Sequence, residues 1–158
     1  MIPAQLRRTV RTLYAFACGY CGVTEDEVGS QLTIDHYQPK DAGGSDEIDN
    51  LVYACHACNL HKSAAWNAQH LLVLHPLQTD LSLHLRALPN GTIEALSPQG
   101  TLHIETLHLN RPPMVRRRKT KQLMEAMMEW EQQKRAHEAQ AGQDLQRKKR
   151  LARRRRFR

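Results

Sequence analysis

Two Cys-x-x-Cys pairs, Cys18-Gly19-Tyr20-Cys21 and Cys55-His56-Ala57-Cys58, hold every cysteine of the chain and stand 33 residues apart. If all four thiolates share one ion, a single closure encircles everything between them. Tetrahedral sulfur coordination suits zinc, and a site with all positions filled by protein is structural, since none is left for substrate. Little hydrophobic material lies between residues 18 and 63, so zinc is expected to supply much of that segment's folding free energy. A second assignment, Cys55, Cys58, His70 and His75 as a two-cysteine, two-histidine finger, fits the spacing. It strands Cys18 and Cys21 and leaves the polar residues inside the loop without a purpose.

At 158 residues the chain is long enough for one core with appendages. No apolar run approaches the roughly 18 residues of a membrane span, and arginines interrupt the apolar pattern of the N-terminus, so no secretory leader is expected. A soluble cytoplasmic protein follows, in which paired cysteines bind metal rather than oxidise. The net charge of +7 is unevenly placed. Residues 147–158 carry nine of the 23 basic side chains and no acid, leaving 14 basic against 16 acidic elsewhere. Such a tail suits a polyanion, although a solubilising tail or an address signal has the same composition.

Leu6, Val10, Leu13 and Ala17 follow helical spacing, predicting an amphipathic helix over 4–17. From Leu81 to Leu109 the apolar residues alternate, with Pro89-Asn90-Gly91 and Ser97-Pro98-Gln99-Gly100 as turns, which predicts a small antiparallel meander including Leu102 and Ile104. A long helix is expected from about 114 to 140. Its stripe of Val115, Leu123, Met124, Met127 and Trp130 would pack on the meander or on a second subunit.

Inside the cysteine-closed loop lie Asp35-His36, Pro39, Gly43-Gly44, Asn50-Leu51-Val52 and Cys58-Asn59-Leu60-His61-Lys62. In this order, residues 18–62 resemble the zinc-bearing branch of the HNH, or ββα-metal, endonucleases. The His75-Pro76-Leu77 and Leu107-x-Leu109-Asn110-Arg111-Pro112 patterns look like an extension found in bacterial members.

The resemblance implies an α+β fold: a ββα-metal core with a four-cysteine structural zinc, an N-terminal helix, a small antiparallel β extension, and a long C-terminal helix with a basic tail. The divisions are residues 1–66 for helix and core, 67–113 for the extension, 114–146 for the helical segment and 147–158 for the arginine-rich tail. A bacterial or phage protein is expected, and the stripe at Leu123, Met124, Met127 and Trp130 suits a nuclease subunit recruited by other proteins, as in a defence or mobile-element system.

Hydrolysis of a phosphodiester needs an activated water, a cation and fixed geometry. His36 can take the proton from water. Asp35 supplies a hard carboxylate oxygen and Asn59 a second oxygen, a sparse set suiting magnesium or manganese rather than zinc. On a strand Asp35 and His36 point to opposite faces, so a bend must let both reach one site. By resemblance, Asn50 positions the loop of the general base, and products carry a 5′-phosphate and a 3′-hydroxyl.

Asn59 stands where the last histidine of the family pattern usually falls, giving an H-N-N form in which His61 is a rival ligand. The i, i+3 spacing puts Asn59 and Lys62 on one helical face, where Lys62 can meet a phosphate. DNA is the expected partner, contacted through phosphates by Lys62, Arg116, Arg117, Arg118, Lys119 and the tail residues Arg153, Arg154, Arg155 and Arg156, with little sequence preference. A homodimer or a targeting protein is a further expected partner. The other reading is a non-catalytic zinc module that binds nucleic acid or protein. His103-Ile104-Glu105 lacks the cysteine pair that a zinc deaminase places downstream.

Overall fold

The structure is a computed structural model of the full chain, and residues 2–64 and 73–156 are described. The chain divides into two units, Met1–Val115 and Arg116–Arg158.

The first unit begins with α1 (Ala4–Leu13), which buries Val10 and packs on β2 (Leu51–Ala54). The expected helix over 4–17 stops at Leu13. Ala15 and Phe16 take positive φ of 49° and 60°, and Ala17 bridges to Thr24 as extended backbone. The chain must reverse here to close the first cysteine pair: Cys18 N donates to Val23 O at 2.8 Å, and Gly22 N to Cys18 O at 2.8 Å. A one-turn helix α2 (Glu25–Val28) follows, with Thr24 and Glu27 forming a capping box. Arg11 Nε donates to Glu25 at 2.6 Å, tying α1 to this turn.

Strand β1 (Thr33–His36) pairs antiparallel with β2, setting Asp35 opposite Val52 and His36 opposite Leu51. All four residues of β2 are buried, so both faces of this short ribbon are covered. Only Cys55 separates β2 from α3 (His56–Ala64), which packs on β1. The succession β1, loop, β2, α3 is the expected ββα unit. Leu107 and Leu109 join Val10, Tyr14, Leu32 and the β2 side chains in one core, so the extension is built onto the same interior.

The extension departs from a meander. Leu81–Leu83 is a 3₁₀ turn capped by Asp80, β3 (Leu85–Ala87) pairs with β4 (Ile93–Ala95) around the expected Asn90-Gly91 turn, and Pro98–Thr106 is a helix, α4. Leu102 and Ile104 are therefore helical rather than on a third strand. Ser97 accepts from Gly100 N at 3.0 Å and Pro98 occupies the first turn, so the Ser-Pro pair starts a helix instead of closing a hairpin. Gly100 is required there, because a Cβ would lie 2.1 Å from the His84 carbonyl oxygen.

Helix α5 (Pro112–Arg156) runs beyond the expected 114–140, through the 146/147 boundary and into the basic tail. Alanine, leucine, glutamine, lysine and arginine are strong helix formers, and Gly142 alone does not break the run. Leu123, Met124, Met127 and Trp130, the stripe expected to pack on the meander or on a second subunit, are all more than half exposed.

Candidate active site and zinc centre

The first cysteine pair sits on the turn closed by Cys18 and Val23, and the second at the junction of β2 and α3. Gly19 N donates to Tyr53 O at 2.8 Å, pinning this turn to β2, and a Cβ on Gly19 would lie 2.5 Å from the Tyr14 ring. The four sulfurs all lie within 4.8 Å of one another. A tetrahedron of sulfurs about 2.3 Å from zinc has edges of about 3.8 Å; Cys21 Sγ and Cys55 Sγ are 3.7 Å apart, and none of the four forms a disulfide. Hydrogen bonding among the four sulfurs pushes the Cys21 and Cys58 thiols up and the Cys18 and Cys55 thiols down, so without a cation they do not all ionise together. A cation among them is what allows all four to ionise, so the donor set fits zinc. Cys55 and Cys58 thus cluster with the first pair rather than in a two-histidine finger, for which His70 lies outside the described residues. His75 instead accepts from Leu77 N and Gln78 N through Nδ1.

Beside this centre a cleft of about 240 Å³ is lined by Ile34, Asp35, His36, Pro39, Lys40, Asp41, Asn59 and Lys62. Asp35 and His36, the last two residues of β1, both line it. Asn59 and Lys62 enter from one face of α3, whereas His61 is not among the lining residues and packs tilted against the His108 ring, with centroids 4.5 Å apart.

Asp35 is buried. Its Oδ2 accepts from the Tyr20 hydroxyl at 2.7 Å, and its Oδ1 from Lys62 Nζ at 3.0 Å. Burial raises this carboxyl above its usual range, opposed by the Lys62 charge and the Tyr20 hydrogen bond. Lys62, only 2% exposed, also donates to the His36 carbonyl at 2.7 Å. An ionised carboxylate has about four lone-pair positions, so Asp35 retains capacity for a hard cation, and with Asn59 across the cleft the donors fit magnesium or manganese.

The HNH endonuclease family model matches residues 18–65. That segment is an HNH domain. No curated protein and no solved structure matches the chain.

Within the HNH domain Asn50 stands apart from the cleft and closes the loop between β1 and β2. Its Oδ1 accepts from Gln38 N at 2.8 Å, while Nδ2 donates to Gln38 O at 3.1 Å and to Ser45 O at 2.9 Å. Gly44 permits this closure, since a Cβ there would lie 1.8 Å from the Gln38 carbonyl oxygen. The domain also contains residues that sequence reasoning passed over. Tyr20 lies between two zinc-site cysteines, where an aromatic with a polar tip was the signal available. Asp46 Oδ1 is 2.6 Å from His36 Nε2, and Lys40 Nζ is 2.6 Å from Asp46 Oδ2. Ten residues separate His36 from Asp46, and no periodicity links them.

Outside the HNH domain, Arg116 and Lys119 of α5 are exposed and Arg117 and Arg118 half-buried. Arg153, Arg154, Arg155 and Arg156 fall in the last turns of α5, with side chains outside those described. Among the described residues no helix is long and apolar enough to cross a membrane.

Proposed function

We propose that the HNH domain is a DNA endonuclease of H-N-N type. The convergence of Asp35, His36, Asn59 and Lys62 on one cleft carries this reading. His36 accepts a proton from water as the water oxygen bonds to phosphorus; the bond from phosphorus to the 3′-oxygen breaks and that oxygen takes a proton from solvent, leaving a 5′-phosphate and a 3′-hydroxyl. Asp35 and Asn59 would hold magnesium or manganese, which would supply charge stabilisation for the phosphate and leaving oxygen. Lys62 fixes Asp35 and the His36 backbone from within. Asn50 positions the loop of the general base. Zinc on the four cysteines holds the frame.

Arg116, Arg117, Arg118, Lys119 and Arg153–Arg156 bind the phosphate backbone in this reading, giving affinity without sequence readout. The exposed Leu123, Met124, Met127 and Trp130 offer a face to a targeting protein or a second copy of the chain.

A second reading, a non-catalytic zinc module, is favoured by one observation: Asp35 is already neutralised by Lys62, as a structural acid would be. End-labelled duplex DNA separates the two. The nuclease yields fragments with 5′-phosphate and 3′-hydroxyl ends in magnesium or manganese and none when the divalent cation is withheld. Intact DNA under every divalent cation, with binding retained, supports the module.

A further inference from the structure

We propose that Asp46 is the positioning residue of His36, holding the ring through Nε2 so that Nδ1 is the nitrogen that meets the attacking water. The inference rests on the general-base reading of His36 and adds a residue to it.

His36 Nε2 and Asp46 Oδ1 are 2.6 Å apart, within the range of a charge-assisted hydrogen bond. The other oxygen of Asp46 faces Lys40 Nζ at 2.6 Å. With Lys40 and then His36 beside it, the Asp46 carboxyl is held below the usual carboxylate range. An ionised carboxylate only accepts, which puts the proton of this bond on Nε2. In the neutral ring the lone pair is then on Nδ1, which makes no hydrogen bond among the described residues, and His36 itself lines the cleft. This is the arrangement a general base requires, one nitrogen anchored and the other open.

The anchor is itself fixed. Asn50 Nδ2 donates to Ser45 O at 2.9 Å, immediately before Asp46, and Gly44 allows the turn to close on Gln38. A chain of contacts thus runs from Asn50 through Ser45 and Asp46 to the imidazole, giving the loop-closing Asn50 a route to the reacting group. An exposed ion pair contributes little to stability. Asp46, at 39% side-chain exposure, is therefore placed to orient rather than to hold the fold together.

The test uses the zinc-loaded full chain with ¹⁵N-labelled histidine. The wild type should show a slowly exchanging, downfield Nε2–H resonance assigned to His36, lost in Asp46→Ala and regained at least in part in Asp46→Glu. Cleavage of duplex DNA should fall about 10- to 100-fold in kcat in Asp46→Ala, the scale at which an outer partner orients a functional histidine, with KM and zinc content unchanged. Partial recovery of kcat in Asp46→Glu would distinguish orientation from a packing role. Survival of the resonance in Asp46→Ala, or unaltered kcat there while His36→Ala is inactive, would overturn the proposal. If His36→Ala cleaves as fast as the wild type, the general-base reading fails, and the resonance alone then decides whether Asp46 anchors the ring.

Discussion

The Tyr20 hydroxyl, carried on the turn between two zinc-site cysteines, donates to the Asp35 carboxylate at 2.7 Å. The four-cysteine cluster and the cleft are thereby joined through one side chain. A turn that shifts when zinc leaves takes with it a hydrogen bond to the acid proposed to hold the catalytic cation.

Removing either donor of this buried acid has a separable cost. Tyr20→Phe deletes a hydrogen bond to a charged acceptor and should destabilise the fold by about 1.5–3 kcal/mol. Lys62→Met leaves the buried Asp35 charge without its counter-ion and should cost about 3–5 kcal/mol. Urea unfolding at saturating zinc reads both. A Lys62→Met loss below that of Tyr20→Phe would mean that the Lys62 ammonium is not the main compensation for Asp35.

Zinc removal should unfold the HNH domain rather than merely inactivate it. The interior between the cysteine pairs is a two-stranded ribbon with a 14-residue loop, and structural zinc contributes on the order of 10 kcal/mol to such segments. A strong chelator, or Cys58→Ser, is expected to abolish the cooperative transition, followed by circular dichroism alongside zinc content. A zinc-free chain that keeps a cooperative melt would show that the hydrophobic core suffices.

His103 gives the stability a defined acid dependence. It is fully buried in α4, accepts from Leu74 N through Nδ1 at 3.0 Å, and has no partner at Nε2 among the described residues. Burial pushes its imidazole down to about 4. The unfolded chain takes up this proton near pH ~6.5 while the native state does not. The contribution is therefore full above pH ~6.5 and is lost as pH falls towards ~4, amounting to about 2 kcal/mol by pH ~5. Histidine ring resonances followed against pH should show His103 neutral down to pH ~5, and a midpoint near ~6.5 would contradict its burial.

DNA affinity should fall steeply with salt. Replacing Arg153, Arg154, Arg155 and Arg156 by glutamine removes four cations from the tail and should lower the slope of log affinity against log salt by about three to four. An unchanged slope in filter binding or anisotropy would place the phosphate contacts elsewhere.

The ββα core was legible because its chemistry is written in residue type and order: the cysteine pairs, Asp35-His36, Asn50 and Asn59 follow one another within a single short segment. The ends of α1 and the nature of α4 were less legible, because Ala15 and Phe16 leave the helix to satisfy the turn at Cys18, and alternation at Leu102 and Ile104 was outweighed by the Ser97-Pro98 start. Behind the cleft residues, Tyr20 and Asp46 make their contacts to Asp35 and His36 across loops, where no period connects partners. The burial of Lys62 was hidden for a related reason: spacing put it on the face of Asn59 but could not show that its ammonium turns inward to Asp35.

Supercoiled plasmid cleavage in magnesium or manganese, comparing the wild-type chain with His36→Ala when each carries one zinc, tests the nuclease reading most directly. Nicked or linear DNA from the wild type, with His36→Ala slower by a factor of at least ~100, is the predicted result. Equal inactivity of the two with DNA binding intact, or equal cleavage by both, would contradict the assignment of His36 as the general base of a nuclease.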